Sequence, residues 1–265
     1  MYKILTINTI EEVLALTVDQ PWDSRNRRHR GYYLYRGLPN ESFELKTSLQ
    51  RNCGRLSAKL EPKILENFSK YTAIETEVEI DNVWKRMILG QHHGLPTRLL
   101  DWTHSPFIAL HFAADGDLKT LEETNCVIWR IDIEEIHSLL QKPFRTVMRK
   151  EGMTVFNVNM LNSVAKSIEE YDSITKGKSM VIMEPPSIDP RIVNQYAFFS
   201  VIPGQVTSIE EFLAQYTEKT VKYIIRKDLK WRIRDFLDEA NISERIVYPG
   251  LDGICKWLSR HYFVK

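Results

Sequence analysis

The chain lacks what would tie it by composition alone to a membrane, a disulfide framework or a polyanion. No uninterrupted apolar run reaches the roughly 18 residues that a spanning helix needs, and the opening Met-Tyr-Lys-Ile-Leu-Thr-Ile has no long apolar region of the signal-peptide kind. The expectation is a cytoplasmic protein with no membrane partner. Cysteine is scarce and scattered: Cys53, Cys126 and Cys255 have no paired spacing, which argues against disulfides and against a cysteine zinc site. Excess charge of one sign is also missing, because 36 Lys and Arg meet 35 Asp and Glu. Any anionic partner must therefore be held by a local patch and not by a global field. Repeats, low-complexity tracts and long linkers are absent, and 43% hydrophobic content over 265 residues is ample for a core.

What is present is an alternation of short helical and strand patterns. Residues 8–18 begin with a Thr cap and two carboxylates and read as a short helix. Arg25, Arg27, Arg28 and Arg30 follow in a basic run, either a solvated loop or a phosphate or RNA contact. Gly31-Tyr-Tyr-Leu-Tyr-Arg-Gly37 reads as an aromatic strand. It ends in an arginine whose fork of donors can clamp phosphate or carboxylate, and in a glycine that permits a turn or a close approach. Helical spacing recurs at 61–71 and 81–91, with Asp81 as the cap of the second helix and Gly94 as its stop.

The densest stretch is Gln91 to Ala114, where histidines, Arg98, Asp101 and Trp102 adjoin an almost wholly apolar segment. Pro96 ends the preceding helix, Thr97 to Trp102 fits a short buried strand, and Ser105-Pro106 starts a central helix. His92 and His93 are adjacent and diverge, while His104 and His111 are seven apart across a cap, so no metal set is spaced correctly. Arg98 and Asp101 suit either a buried ion pair or a site. Trp102 suits core or a stacking platform. Downstream, 125–133 reads as a strand, 133–140 as a short helix, 143–158 as ambiguous and 159–174 as one helix. A strand at 180–184, a turn and apolar strand over 189–202, a helix at 209–216, a strand at 221–226 and two closing helices complete the pattern. The sum is an α+β single domain over 1–265, with a mixed central sheet of short strands and helices around it. Its core spans about 30–255, and 1–29 form an N-terminal helix and basic loop.

Four stretches together resemble the FRG domain family, named for an aromatic-Arg-Gly signature. They are Tyr35-Arg36-Gly37, the run Gln91 to Thr103, Arg191 to Gln195 and Tyr248 to Gly253, with Tyr for Phe in the name motif. The layout is also similar, more weakly, to ADP-ribosyltransferases, which implies a split sheet and NAD as substrate. That second resemblance implies Arg36, Thr97, Gln195 and Asp101 as catalytic candidates. Tyr35, Arg36, Gly37, His93, Arg98, Trp102 and Thr103 would hold NAD, with Thr97, Thr103 and Ser105 at ribose hydroxyls and Tyr35 or Trp102 stacked on nicotinamide. Gln195, Glu184 or Asp101 would meet the 2′-hydroxyl. The acceptor would be RNA or protein, and the biological setting a bacterial toxin or phage-defence effector with an antitoxin partner. The alternative is a non-catalytic nucleotide- or RNA-binding module using Arg25, Arg27, Arg28 and Arg30.

Overall fold

Runs of β-branched and aromatic residues supply seven short strands, and one mixed sheet collects them all. The computed structural model describes residues 1–24, 27–72 and 81–263. The strands are β1 (Lys3–Ile7), β2 (Tyr33–Leu38), β3 (Leu99–Thr103), β4 (Cys126–Asp132), β5 (Val181–Met183), β6 (Ala197–Val201) and β7 (Val221–Ile225). Their spatial order is β1-β7-β4-β2-β3-β6-β5, parallel only between β1 and β7.

The sheet is unevenly stitched. Strands β2 and β4 pair continuously from Tyr33↔Asp132 to Leu38↔Val127, and β3 and β6 from Leu99↔Val201 to Thr103↔Ala197. Between β2 and β3 the register holds a single pair, Tyr35↔Thr103. The sheet therefore forks in its middle, and backbone groups beyond that pair need partners other than a ladder.

Helices that position this fork are α1 (Ile10–Val18), α2 (Val83–His92), α3 (Pro106–Ala113), α4 (Pro190–Asn194), α5 (Lys230–Glu239) and α6 (Leu251–His261). Ser105 caps α3 by accepting from the Ile108 amide at 3.3 Å, with Pro106 at its first position. Apolar nearly all round, α3 lies against β2 with Ala109, Leu110 and Ala113 fully buried. Gly37 makes that approach possible, since a Cβ there would sit 1.9 Å from the Ala109 carbonyl oxygen. The glycine of the aromatic-Arg-Gly motif thus admits a helix backbone, not a ligand.

Several expectations change. Strand β1 and the expected N-terminal helix α1 join the core: Ile7, Ile10, Val13 and Leu16 share a cluster with Ala109, Val221 and Ile225. Strand β1 escapes a sequence reading because it is an edge strand with only Ile7 buried. The single helix expected at 159–174 is two, Val158–Val164 and Ile168–Thr175, because Ser167 caps the second by accepting from the Glu170 amide. Within 143–158 a helix, Lys142–Glu151, ends at Gly152 with φ +63°. The 189–195 turn is the short helix α4, the cap of α2 is Asn82 and not Asp81, and Ser48–Cys53 and Leu118–Glu123 are unforeseen helices. Among the described residues no helix is long and apolar enough to cross a membrane.

Candidate functional site

Where β2 and β3 part, a cleft of about 330 Å³ opens. Tyr35 to Gly37 and Leu99 to Thr103 form its floor, Gln91 and His92 at the end of α2 one wall, Arg191 and Gln195 another, and Lys46 to Ser48 with Arg51 a third. Elements far apart in sequence converge here because the fork leaves a gap that only side chains fill.

Arg36 bridges the gap. Its Nη1 donates to the backbone carbonyl of Asp101 at 2.7 Å and lies 3.6 Å from that residue's carboxylate. The side chain is 17% exposed, and its Nε is buried without a partner. Burial pushes the guanidinium below the ordinary arginine range, Asp101 opposes that shift, and the charge of Arg51 adds to it. Asp101 itself is 58% exposed. Gln91 orients it, donating from Nε2 to Oδ1 at 2.7 Å while its own carbonyl accepts from the Thr97 hydroxyl. The result is a chain Arg36–Asp101–Gln91–Thr97 in which only the first three members reach the cleft.

The lining carries Arg36, Lys46, Arg51 and Arg191 against the single carboxylate of Asp101. Such an excess of fixed cations in a concave site draws an anionic ligand, and guanidinium forks match phosphate geometry. His92 is held 3.2 Å from Asp189, and the Arg191 guanidinium lies 5.2 Å from the centre of the Tyr248 ring. Among the described residues no three His, Cys, Asp or Glu side chains gather as a metal set.

The remaining sequence candidates separate. Gln195 lines the cleft and donates from Nε2 to the Val247 carbonyl at 3.0 Å, leaving its amide oxygen as an acceptor. Thr103 donates to the Gln195 carbonyl at 2.7 Å and accepts from the Ser105 amide at 3.0 Å, so its hydroxyl fastens the Gln195 turn to β3. Trp102 is 3% exposed and its indole donates to Ser200, which makes it core. Tyr35 is fully buried with its hydroxyl accepting from Gln20 at 3.1 Å, and burial pushes it up to about 12. Neither aromatic offers an open stacking face.

The other candidates lie outside the cleft. Thr97 is 1% exposed, its hydroxyl turned to Gln91 and to the Leu99 amide. Arg98 does not pair with Asp101. It binds the buried carboxylate of Glu61 through Nε at 2.9 Å and Asp172 through Nη1 at 2.7 Å. Burial opposes its charge, but those carboxylates outweigh it and hold the arginine above its usual range. His93 is exposed, and His92 takes the place expected for it. Glu184 is exposed and does not line the cleft. Arg27, Arg28 and Arg30 are exposed on and beside the small hairpin of Trp22–Asp23 and Arg28–His29, also away from the lining; Arg25 lies outside the described residues.

Lys46 and Arg51 have no sequence signal, since they sit beside a six-residue helix that periodicity does not reveal. Arg191 belongs to one of the motif stretches but acquires meaning only when α4 folds over the fork.

No curated protein and no solved structure matches the chain. Residues 31–121 match the FRG domain family. That segment holds Arg36, Lys46, Arg51, Gln91 and Asp101, and it ends before Arg191, Gln195 and the Tyr248 loop. The segment similar to the FRG domain therefore builds the forked floor and the Lys46 to Arg51 wall of the cleft.

Proposed function

We propose that the cleft binds NAD and that the protein is an ADP-ribosyltransferase-like effector, with RNA or protein as acceptor. The observation that carries this reading is the Arg36–Asp101–Gln91 network set in a cationic cleft at the fork of the sheet. Arg36 suits the pyrophosphate, since it lines the cleft and its side chain keeps 17% exposure. Cleavage breaks the ribose C1′–nitrogen bond; neutral nicotinamide leaves with the bonding electrons and the sugar develops oxocarbenium character. Asp101 is the carboxylate available to hold the 2′-hydroxyl and to stabilise that charge, and Gln91 fixes its orientation. The acceptor nucleophile then bonds to C1′ and loses its proton. Gln195 cannot serve as a base, so its part is restricted to hydrogen bonding through its free amide oxygen.

Incubation of the protein with labelled NAD and total RNA or lysate tests the proposal. Label transfer with nicotinamide release is the expected outcome; neither product, with folded protein, contradicts it. A toxin or phage-defence role, restrained by an antitoxin partner, predicts growth arrest on expression that Asp101→Asn relieves. The second reading, a nucleotide- or RNA-binding module without turnover, draws on the same cationic lining and on the exposed Arg27, Arg28 and Arg30. Binding that falls steeply with salt and without NAD cleavage is its signature.

A further inference from the structure

We infer that Lys46 and Arg51 form, together with Arg36, a diphosphate subsite, so that the cleft takes nucleoside diphosphates and dinucleotides in preference to monophosphates. This deepens the nucleotide reading of the same cleft and rests on it.

The wall from Lys46 to Arg51 has little to offer a ligand except charge. The Thr47 hydroxyl accepts from the Gln50 amide at 3.1 Å, and the Ser48 hydroxyl accepts from the Thr97 amide at 3.1 Å. Those bonds spend the neutral polar groups on anchoring the wall beside the start of β3. Arg51 curls back, donating from Nη1 to the Lys46 carbonyl at 2.6 Å, which keeps the two cationic residues together. Both are cleft-lining and solvent-accessible.

Arg36 faces them from the floor, near enough for the charge of Arg51 to act on it. Converging like charges are unfavourable unless something neutralises them. Asp101 is committed to Arg36 and Gln91, and Glu44 sits on the Lys46 ammonium at the rim, where the side chains are 64% and 40% exposed. A surface pair of that kind contributes little and yields readily to a competing anion. A single phosphate is matched by Arg36 alone. Two linked phosphates spread several acceptor oxygens over a longer span, which two guanidinium forks and an ammonium can share.

Calorimetric titration of the full chain with inorganic pyrophosphate, ADP and AMP tests this. Pyrophosphate and ADP should bind, with AMP at least about tenfold weaker. Lys46→Ala and Arg51→Ala should each weaken pyrophosphate and ADP by about tenfold, the loss of one charge-assisted contact. Glu44→Gln should tighten both by freeing Lys46. All three positions are at the surface, and an unchanged Tm verifies the folds. Equal affinity for ADP and AMP, or pyrophosphate binding indifferent to both alanine variants, overturns the inference. Pyrophosphate binding through Lys46 and Arg51 without NAD cleavage supports the subsite while removing the transferase. NAD cleavage with KM unchanged in both variants keeps the transferase and removes the subsite.

Discussion

Replacing Arg98 by Met should unfold much of what holds the central strand in place while leaving the chemistry of the cleft untouched. Arg98 is 5% exposed and Glu61 1%, and the pair is joined by both Nε and Nη2, with Asp172 on Nη1. The arginine pins the helices Ser57–Thr72 and Ile168–Thr175 to the chain just before β3. Its removal strands the Glu61 carboxylate in the interior, whereas Asp172 keeps partial solvent access and its bond from the Gly204 amide at 2.9 Å. Breaking a buried pair in this way costs about 3–5 kcal/mol, which for a chain of this size lowers Tm by about 10 °C. Adding Glu61→Gln to Arg98→Met removes the stranded charge and should recover about half the loss. Urea unfolding of the wild type, the single and the double variant measures this, with the slope m unchanged. A loss below about 1 kcal/mol in the single variant, or no recovery in the double, refutes the claim that the pair is desolvated. A large loss of pyrophosphate affinity in folded Arg98→Met would instead return Arg98 to the binding site.

Acid should destabilise the protein through His137, which is buried between the Thr154 carbonyl on Nδ1 and the Ile182 amide donating to Nε2. Burial lowers it from 6.5 to about 4, so the fold favours the neutral ring. Its contribution is complete above pH 6.5 and is lost as pH falls toward 4, about 3 kcal/mol at 1.36 per pH unit; His137→Gln should flatten that limb of a stability–pH curve. Gly37→Ala, whose methyl would meet the Ala109 carbonyl, should cost about 1–3 kcal/mol by overpacking, read as a lower urea midpoint. Gln195→Glu should cost about 1 kcal/mol, because a carboxylate cannot donate to the Val247 carbonyl, while like-charge proximity to an entering pyrophosphate raises its Kd severalfold by calorimetry.

The residue classes and spacings made the helices α1, α2 and α3 and the strands β2 to β7 legible in the sequence, while the grouping of Arg36 with Asp101 came from the resemblance. Ser105-Pro106 and the Thr9 cap are local signals, and local signals survive folding. What stayed hidden was pairwise. Arg98 stands just before β3 and Asp101 on it, three residues apart, so their separate partners, Glu61 and Asp172 for one and Arg36 and Gln91 for the other, depend on which side of the sheet each meets. Nothing in Thr97 or Thr103 as hydroxyl residues reveals that the Gln91 side chain and nearby backbone groups already satisfy them. Lys46 and Arg51 carry no sequence signal and gain meaning only because the cleft at the single-pair junction of β2 and β3 gathers them with Arg36. The fork is a property of register, and register is the least local thing a sequence encodes.

The central claim is that the fork cleft binds NAD and cleaves it with Arg36 and Asp101 in the roles given. Nicotinamide release from NAD, measured for the wild type and for Asp101→Asn and Arg36→Lys with an unchanged melting transition, tests it most directly. The wild type should release nicotinamide measurably, Asp101→Asn at least about a hundredfold more slowly, and Arg36→Lys with a raised KM. No release by the folded wild type in the presence of RNA and protein acceptors, or equal release by Asp101→Asn, contradicts it.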